Sequence, residues 1–177
     1  LKDSPEDETA VYEVTDKTMD LEGIDSEYGI LVDIQNKTVL AEKKAYDRIY
    51  PASMTKIMTL IVSVENTENL NDIFTMTIDI TDQMYIEGAS VAGFMPGEEI
   101  SIKDLLYGLI LPSGGDAATA LARYVGGSEN KFVALMNEKV QELGLINTNF
   151  ANPTGLHDKN NYTTPYEMAQ ILEYALS

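Results

Sequence analysis

YPASMTKIMTLIVSVEN, residues 50–66, decides how the rest of the chain is read. A proline and a small residue lead to a serine, and a long apolar run follows with a single lysine in it. Met54, Ile57, Met58, Leu60, Ile61, Val62 and Val64 cover most of a helical circumference, so the pattern predicts a helix over 53–65 buried on nearly all sides. Lys56 stands inside that helix, three residues after Ser53. Residues three apart share a helix face, with Cβ atoms about 5–6 Å apart, so hydroxyl and amine can meet. A serine is a weak nucleophile until a base takes its proton. A lysine is a poor base near its ordinary pKa, but burial disfavours the ammonium and lowers that pKa. The helix start adds backbone N–H groups and the positive end of the helix dipole, which suit an oxyanion. Two plainer readings stand beside this one: a serine at a helix N-cap, and a lysine whose amine snorkels out of a core.

Outward from this helix, the chain reads as one folded unit with an acidic approach. Its 177 residues and 44% apolar content suffice for a single hydrophobic core. Residues 1–27 are acidic and poor in aromatics, which predicts a leader or tether, with the folded unit at 28–177. YGILVDIQNKTVLAEKK (28–44) predicts a hairpin turning at Gln35-Asn36-Lys37. Two strands alone are marginal and call for more strands or a covering helix. DIFTMTIDI (72–80) has strand character, and the glycine-rich segment 87–99 reads as loop. Helices follow over 102–111, 116–125, 129–144 and from 165 to the end. Ser101, Ser128 and Thr164 are placed as N-caps, Pro165 at N1, and Gly127 and Gly144 as stops.

Charge and composition exclude several classes. Twelve basic against 29 acidic residues give a net charge of −17, which repels nucleic acid. Without cysteine there is no disulfide, zinc–thiolate site or thiol nucleophile. His157, the only histidine, lies in the polar loop NPTGLHDKNNY and is read as a loop residue; with Asp158 alone it makes no metal site. Asp116 reads as a helix cap, and Tyr85 as a packing residue beside the loop.

A second serine, Ser113, lies in LLYGLILPSGGDAATALA (105–122), on a tight Pro-Ser-Gly-Gly break between two helices. At this point the chain resembles the serine D-Ala-D-Ala carboxypeptidases, the low-molecular-mass penicillin-binding proteins. PASMTKIMT is similar to their Ser-x-x-Lys motif. The Ser113 segment is similar to their second motif, usually Ser-Gly-Asn followed by Asp-Ala-Ala. FVALMNEKVQELGLINTNFANPTGL and YTTPYEMAQIL match in order and spacing, and the resemblance covers about residues 28–176.

The resemblance implies an α/β (α+β) fold of the β-lactamase and penicillin-binding-protein transpeptidase type, an antiparallel sheet with a helical subdomain, incomplete here. It implies Ser53 as the acylated nucleophile, Lys56 as general base and Ser113 as proton relay. The substrate would be the D-Ala-D-Ala end of a peptidoglycan stem peptide. β-Lactams would acylate the same serine, with no cofactor and no metal. It also implies a bacterial, extracytoplasmic protein, in the envelope or secreted, whose signal peptide has been removed. Two departures stand out. Gly115 occupies the substrate-binding position where asparagine is usual. The third motif, Lys-Thr-Gly on a strand, is absent, so the chain reads as the N-terminal portion of a domain whose remaining strands are cut off, lost or supplied by a second polypeptide. A non-catalytic penicillin- or peptide-binding relative and a class A β-lactamase stay open as alternatives. The latter prefers Ser-Asp-Asn in the second motif, where glycine follows Ser113 here.

Overall fold

The structure is a computed structural model that describes residues 11–21 and 23–177 of the chain. The expected hairpin is present as β2 (Gly29–Asp33) and β3 (Thr38–Lys43), paired antiparallel. Its turn is organised by Asp33, whose Oδ1 accepts from the amides of Gln35 and Asn36, both at 3.0 Å.

The expectation of a tether before residue 28 is corrected for the segment 12–20. β1 (Glu13–Asp20) lies parallel on the other side of β3, giving the order β1-β3-β2, so this sheet is mixed. The anchor is Tyr12, which is buried. Its amide donates to Tyr166 Oη at 2.8 Å, its hydroxyl to Glu173 Oε2 at 2.5 Å, and its ring meets that of Tyr166 edge-on. One aromatic residue holds a strand that overall acidity does not rule out. The rest of the expected leader, residues 1–10 and 22, lies outside the described residues.

The helical part is built around two apolar clusters. Met58, Ile61, Val62, Phe132, Phe150 and Ile171 centre one; Met76, Ile80, Ile102, Leu105, Leu109 and Leu121 centre the other. α1 (Thr55–Glu65) contributes to the first. α4 (Gly115–Gly126) contributes to both, because Ala117, Ala118, Ala120 and Ala122 are fully buried and let its neighbours approach closely. α3 (Ile102–Ile110), α5 (Glu129–Glu142) and α6 (Pro165–Leu176) start at their expected caps: Ser101, Ser128 and Thr164 each accept from the amide three residues on. Gly127 and Gly144 follow α4 and α5 with φ of +70° and +64°.

The stretch expected as strand over 72–80 divides. Only β4 (Ile73–Thr75) is extended, paired with β5 (Glu99–Ser101), and α2 (Ile78–Ile86) follows. Ile80 and Met84, four apart, are both buried, a helical period that the short alternation before it obscures.

Candidate active site

Ser53 lies in a single 3₁₀ turn, Ala52–Met54, that leads into α1; its side chain is exposed at the surface of the helix start. Lys56 is in the first turn of α1 and only 5% exposed. Its Nζ is hydrogen-bonded to Ser53 Oγ at 3.3 Å and donates to the Thr154 carbonyl at 2.7 Å. Burial pulls the Lys56 pKa below the ordinary lysine value, and the nearby negative charge of Asp116 opposes that shift. In its neutral form the amine can keep one N–H on Thr154 and turn its lone pair to the Ser53 hydroxyl. The oxyanion argument is narrower than the sequence suggested. Met54 N donates to Pro51 O at 3.1 Å and is closed inside the turn.

The residues that hold this pair come from a loop about 100 positions away, to which sequence reasoning gave no role. Thr59 donates to the Pro153 carbonyl at 2.7 Å, and Asn161 Nδ2 to Thr55 Oγ1 at 3.0 Å. Asn152 Oδ1 accepts from the amides of Thr154 and Gly155, which rounds the loop and aims the Thr154 carbonyl at Lys56. Gly155, at φ +80°, presses on the turn that carries Ser53: a Cβ there would lie 1.9 Å from Ala52 O and 3.1 Å from Ser53 N. Ala52 is itself left-handed, at φ +48°. The cluster Asn152-Pro153-Thr154-Gly155 is a turn signal legible in sequence; its partner is not.

Ser113 sits at φ +60° just before α4, half-buried. Among the described residues no hydrogen bond joins it to Ser53 or Lys56. α4 does pack against α1, and Asp116 in its first turn is close enough to act on Lys56. Asp116 is not the helix cap; Gly114 occupies that position without a side-chain bond. The buried Asp116 carboxylate instead accepts from the amides of Ala92, Gly93 and Phe94 at 2.7, 3.0 and 3.3 Å. It ties the glycine-rich loop to the second motif. Gly115 N donates to Ser90 O at 2.7 Å from the same loop.

The ring of His157 meets that of Tyr50 edge-on, with centroids 4.8 Å apart. Tyr85, expected to pack, is 87% exposed at the end of α2. Among the described residues no three His, Cys, Asp or Glu side chains converge as a cation site.

Residues 14–177 match the family described as D-alanyl-D-alanine carboxypeptidase. The D-alanyl-D-alanine carboxypeptidase DacF of Bacillus subtilis is 38% identical over 149 residues, 82% of this chain and 38% of its own length. The corresponding DacC of Escherichia coli is 38% identical over 162 residues, 88% of this chain and 40% of its own length. Among solved structures, the Streptomyces K15 DD-transpeptidase is similar with a TM-score of 0.83 at 34% identity, over 86% of this chain and 61% of that one. Penicillin binding protein 5 from Haemophilus influenzae gives a TM-score of 0.80 at 33% identity, over 86% and 45%. The chain spans about two fifths of the length of the two curated relatives.

Proposed function

The chain belongs to the D-alanyl-D-alanine carboxypeptidase family, and on that footing we propose that it carries the acylation half of a serine D-Ala-D-Ala carboxypeptidase site. Ser53 Oγ attacks the carbonyl carbon of the penultimate D-alanine of a peptidoglycan stem peptide. Neutral Lys56 takes the serine proton. That proton passes through Ser113 to the amine of the leaving D-alanine, and water later releases the acyl group from Ser53. β-Lactams acylate the same oxygen. The reading places the protein outside the bacterial cytoplasm. The observation that carries it is the position of Lys56 Nζ, buried between Ser53 Oγ at 3.3 Å and the Thr154 carbonyl at 2.7 Å.

We also propose that further strands, bearing the third motif, pair on the open edge of β2, either continuous with this chain or from a second polypeptide. The support is that β2 ends the sheet. Beside it lies an apolar groove of about 440 Å³ lined by Ile30, Val32, Met54, Ile57, Met168 and Leu172.

Intact mass after incubation with a β-lactam tests the assignment. An adduct of one inhibitor per chain, absent from Ser53→Ala, is expected. An adduct that survives Ser53→Ala would overturn it. A stable adduct without D-alanine release from a peptide would instead favour a penicillin-binding relative that does not turn over.

A further inference from the structure

Position 115 is where the chain departs from the second motif it resembles, and the space around it is already filled. Gly115 opens α4 and is buried. Its backbone is helical, so conformation alone does not demand glycine. Its neighbours crowd the position instead: a Cβ on Gly115 would lie 2.7 Å from Met84 Sδ, so the thioether would have to move, and 3.2 Å from Ser90 O and 3.4 Å from Ala89 Cβ.

Met84 is buried and its backbone is fixed. It is 1% exposed, in the last turn of α2, and its carbonyl accepts from Ala89 N at 3.0 Å, closing the turn that follows. Beyond that turn the loop is fastened across the start of α4. Ser90 O accepts from Gly115 N at 2.7 Å, and Asp116 accepts from the amides of Ala92, Gly93 and Phe94. Gly114 is just as tight: a Cβ there would meet Gly108 O at 2.6 Å and Ala92 N at 2.9 Å. Met84 also lines a groove of about 430 Å³, shared with Tyr85, Val91, Phe94 and Asp116. The thioether thus occupies the space beside position 115 in the first turn of α4.

We propose that Met84 is a positioning residue of the second motif. It fills the volume that a side chain at position 115 would need and lets the segment 89–94 close directly on the turn that presents Ser113. The pair Met84 and Gly115 is one unit, so an amide at 115 is accepted only when Met84 is shortened. Shortening it opens space beside position 115. This inference rests on the acyl-transfer reading only for its kinetic readout.

The test is a cycle of parent, Gly115→Asn, Met84→Ala and the double variant in the full chain. Acylation by a fluorescent penicillin, KM and kcat on a D-Ala-D-Ala peptide, and thermal melting are all measured. Gly115→Asn is expected to slow acylation about 10-fold or more, the scale of coupling between contacting residues. The double variant is expected to recover at least that factor relative to Gly115→Asn, and to melt higher than the two single losses added together. The recovery should lie in kcat, because the displaced turn carries Ser113. Met84→Leu, which keeps the bulk, should not rescue. Gly115→Ala carries the same Cβ contact and replaces Gly115→Asn if the latter does not fold. Parent-like acylation by Gly115→Asn, or a double variant no faster than Gly115→Asn, would overturn the proposal. A parent that no penicillin labels would refute the acyl-transfer reading instead. The melting temperatures would still decide the coupling: strictly additive losses would overturn it.

Discussion

Replacing Gly155 by alanine should disarm the proposed nucleophile without substituting Ser53 or Lys56. The alanine Cβ would start 1.9 Å from Ala52 O and 2.5 Å from Ala52 C, against the 3.0 Å that real Cβ contacts respect. Both atoms are backbone, so no rotamer relieves the contact. Either the Ala52–Met54 turn or the 152–156 loop must move by about 1.1 Å. If the turn moves, Ser53 leaves Lys56; if the loop moves, Lys56 loses the Thr154 carbonyl that orients it. A misplacement of about 1 Å costs on the order of 100-fold in rate, and that is the loss expected in acylation by a fluorescent penicillin. The left-handed backbone adds its own cost, about 1–2 kcal/mol for a residue with a Cβ. Gly127→Ala separates the two effects. Gly127 is also left-handed, at φ +70°, but a Cβ there meets nothing within 4 Å. It should lower stability by a similar backbone cost and leave acylation at the parent rate. A Gly155→Ala protein that acylates within about twofold of Gly127→Ala would refute the claim that this contact places the nucleophile.

The pH dependence of acylation should follow Lys56. Its rate rises with pH as the amine loses its proton, with a midpoint below the ordinary lysine value because burial depresses that pKa. Lys56→Arg, which stays protonated, should flatten the profile and cost on the order of 100-fold or more. Stability moves the same way. Between the folded pKa and the higher unfolded one, the unfolded chain binds the extra proton, so urea melts should show stability rising with pH in that window and the rise missing in Lys56→Met. Asp116→Asn removes a charge that favours protonated Lys56, so the acylation midpoint should shift to lower pH. It also weakens the acceptor of three loop amides, at a cost of about 1–3 kcal/mol in urea melts. Tyr12→Ala should cost roughly 3 kcal/mol of unfolding free energy with acylation unchanged, because it unpins β1 and its hydrogen bonds go to Tyr166, Ala169 and Glu173, not to Ser53 or Lys56. No loss of stability would return the segment 12–20 to the status of a tether.

The pairing of Ser53 with Lys56 was legible because it is local. Ser53 and Lys56 are three residues apart on one helical path, and helix geometry alone carries the hydroxyl to the amine. The caps at Ser101, Ser128 and Thr164 were legible for the same reason: each closes on an amide three residues on, so the chain's own repeat sets the distance. The break at Pro112-Ser113-Gly114-Gly115 was legible as a break, but not for its cause. Its glycines are crowded by Gly108, Ala92, Met84 and Ser90, which approach from α2, α3 and the glycine-rich loop. Only the tertiary structure made Thr154 the acceptor for Lys56, 98 positions away, and gave Asp116 a loop 22–24 residues behind it in place of a helix end. These contacts end on main-chain carbonyls and amides, which every residue type offers equally, so no side-chain pattern announces them. Which backbone group a side chain reaches at such separation is set by the packing of the helices between, and that packing exists only once the chain has closed on itself.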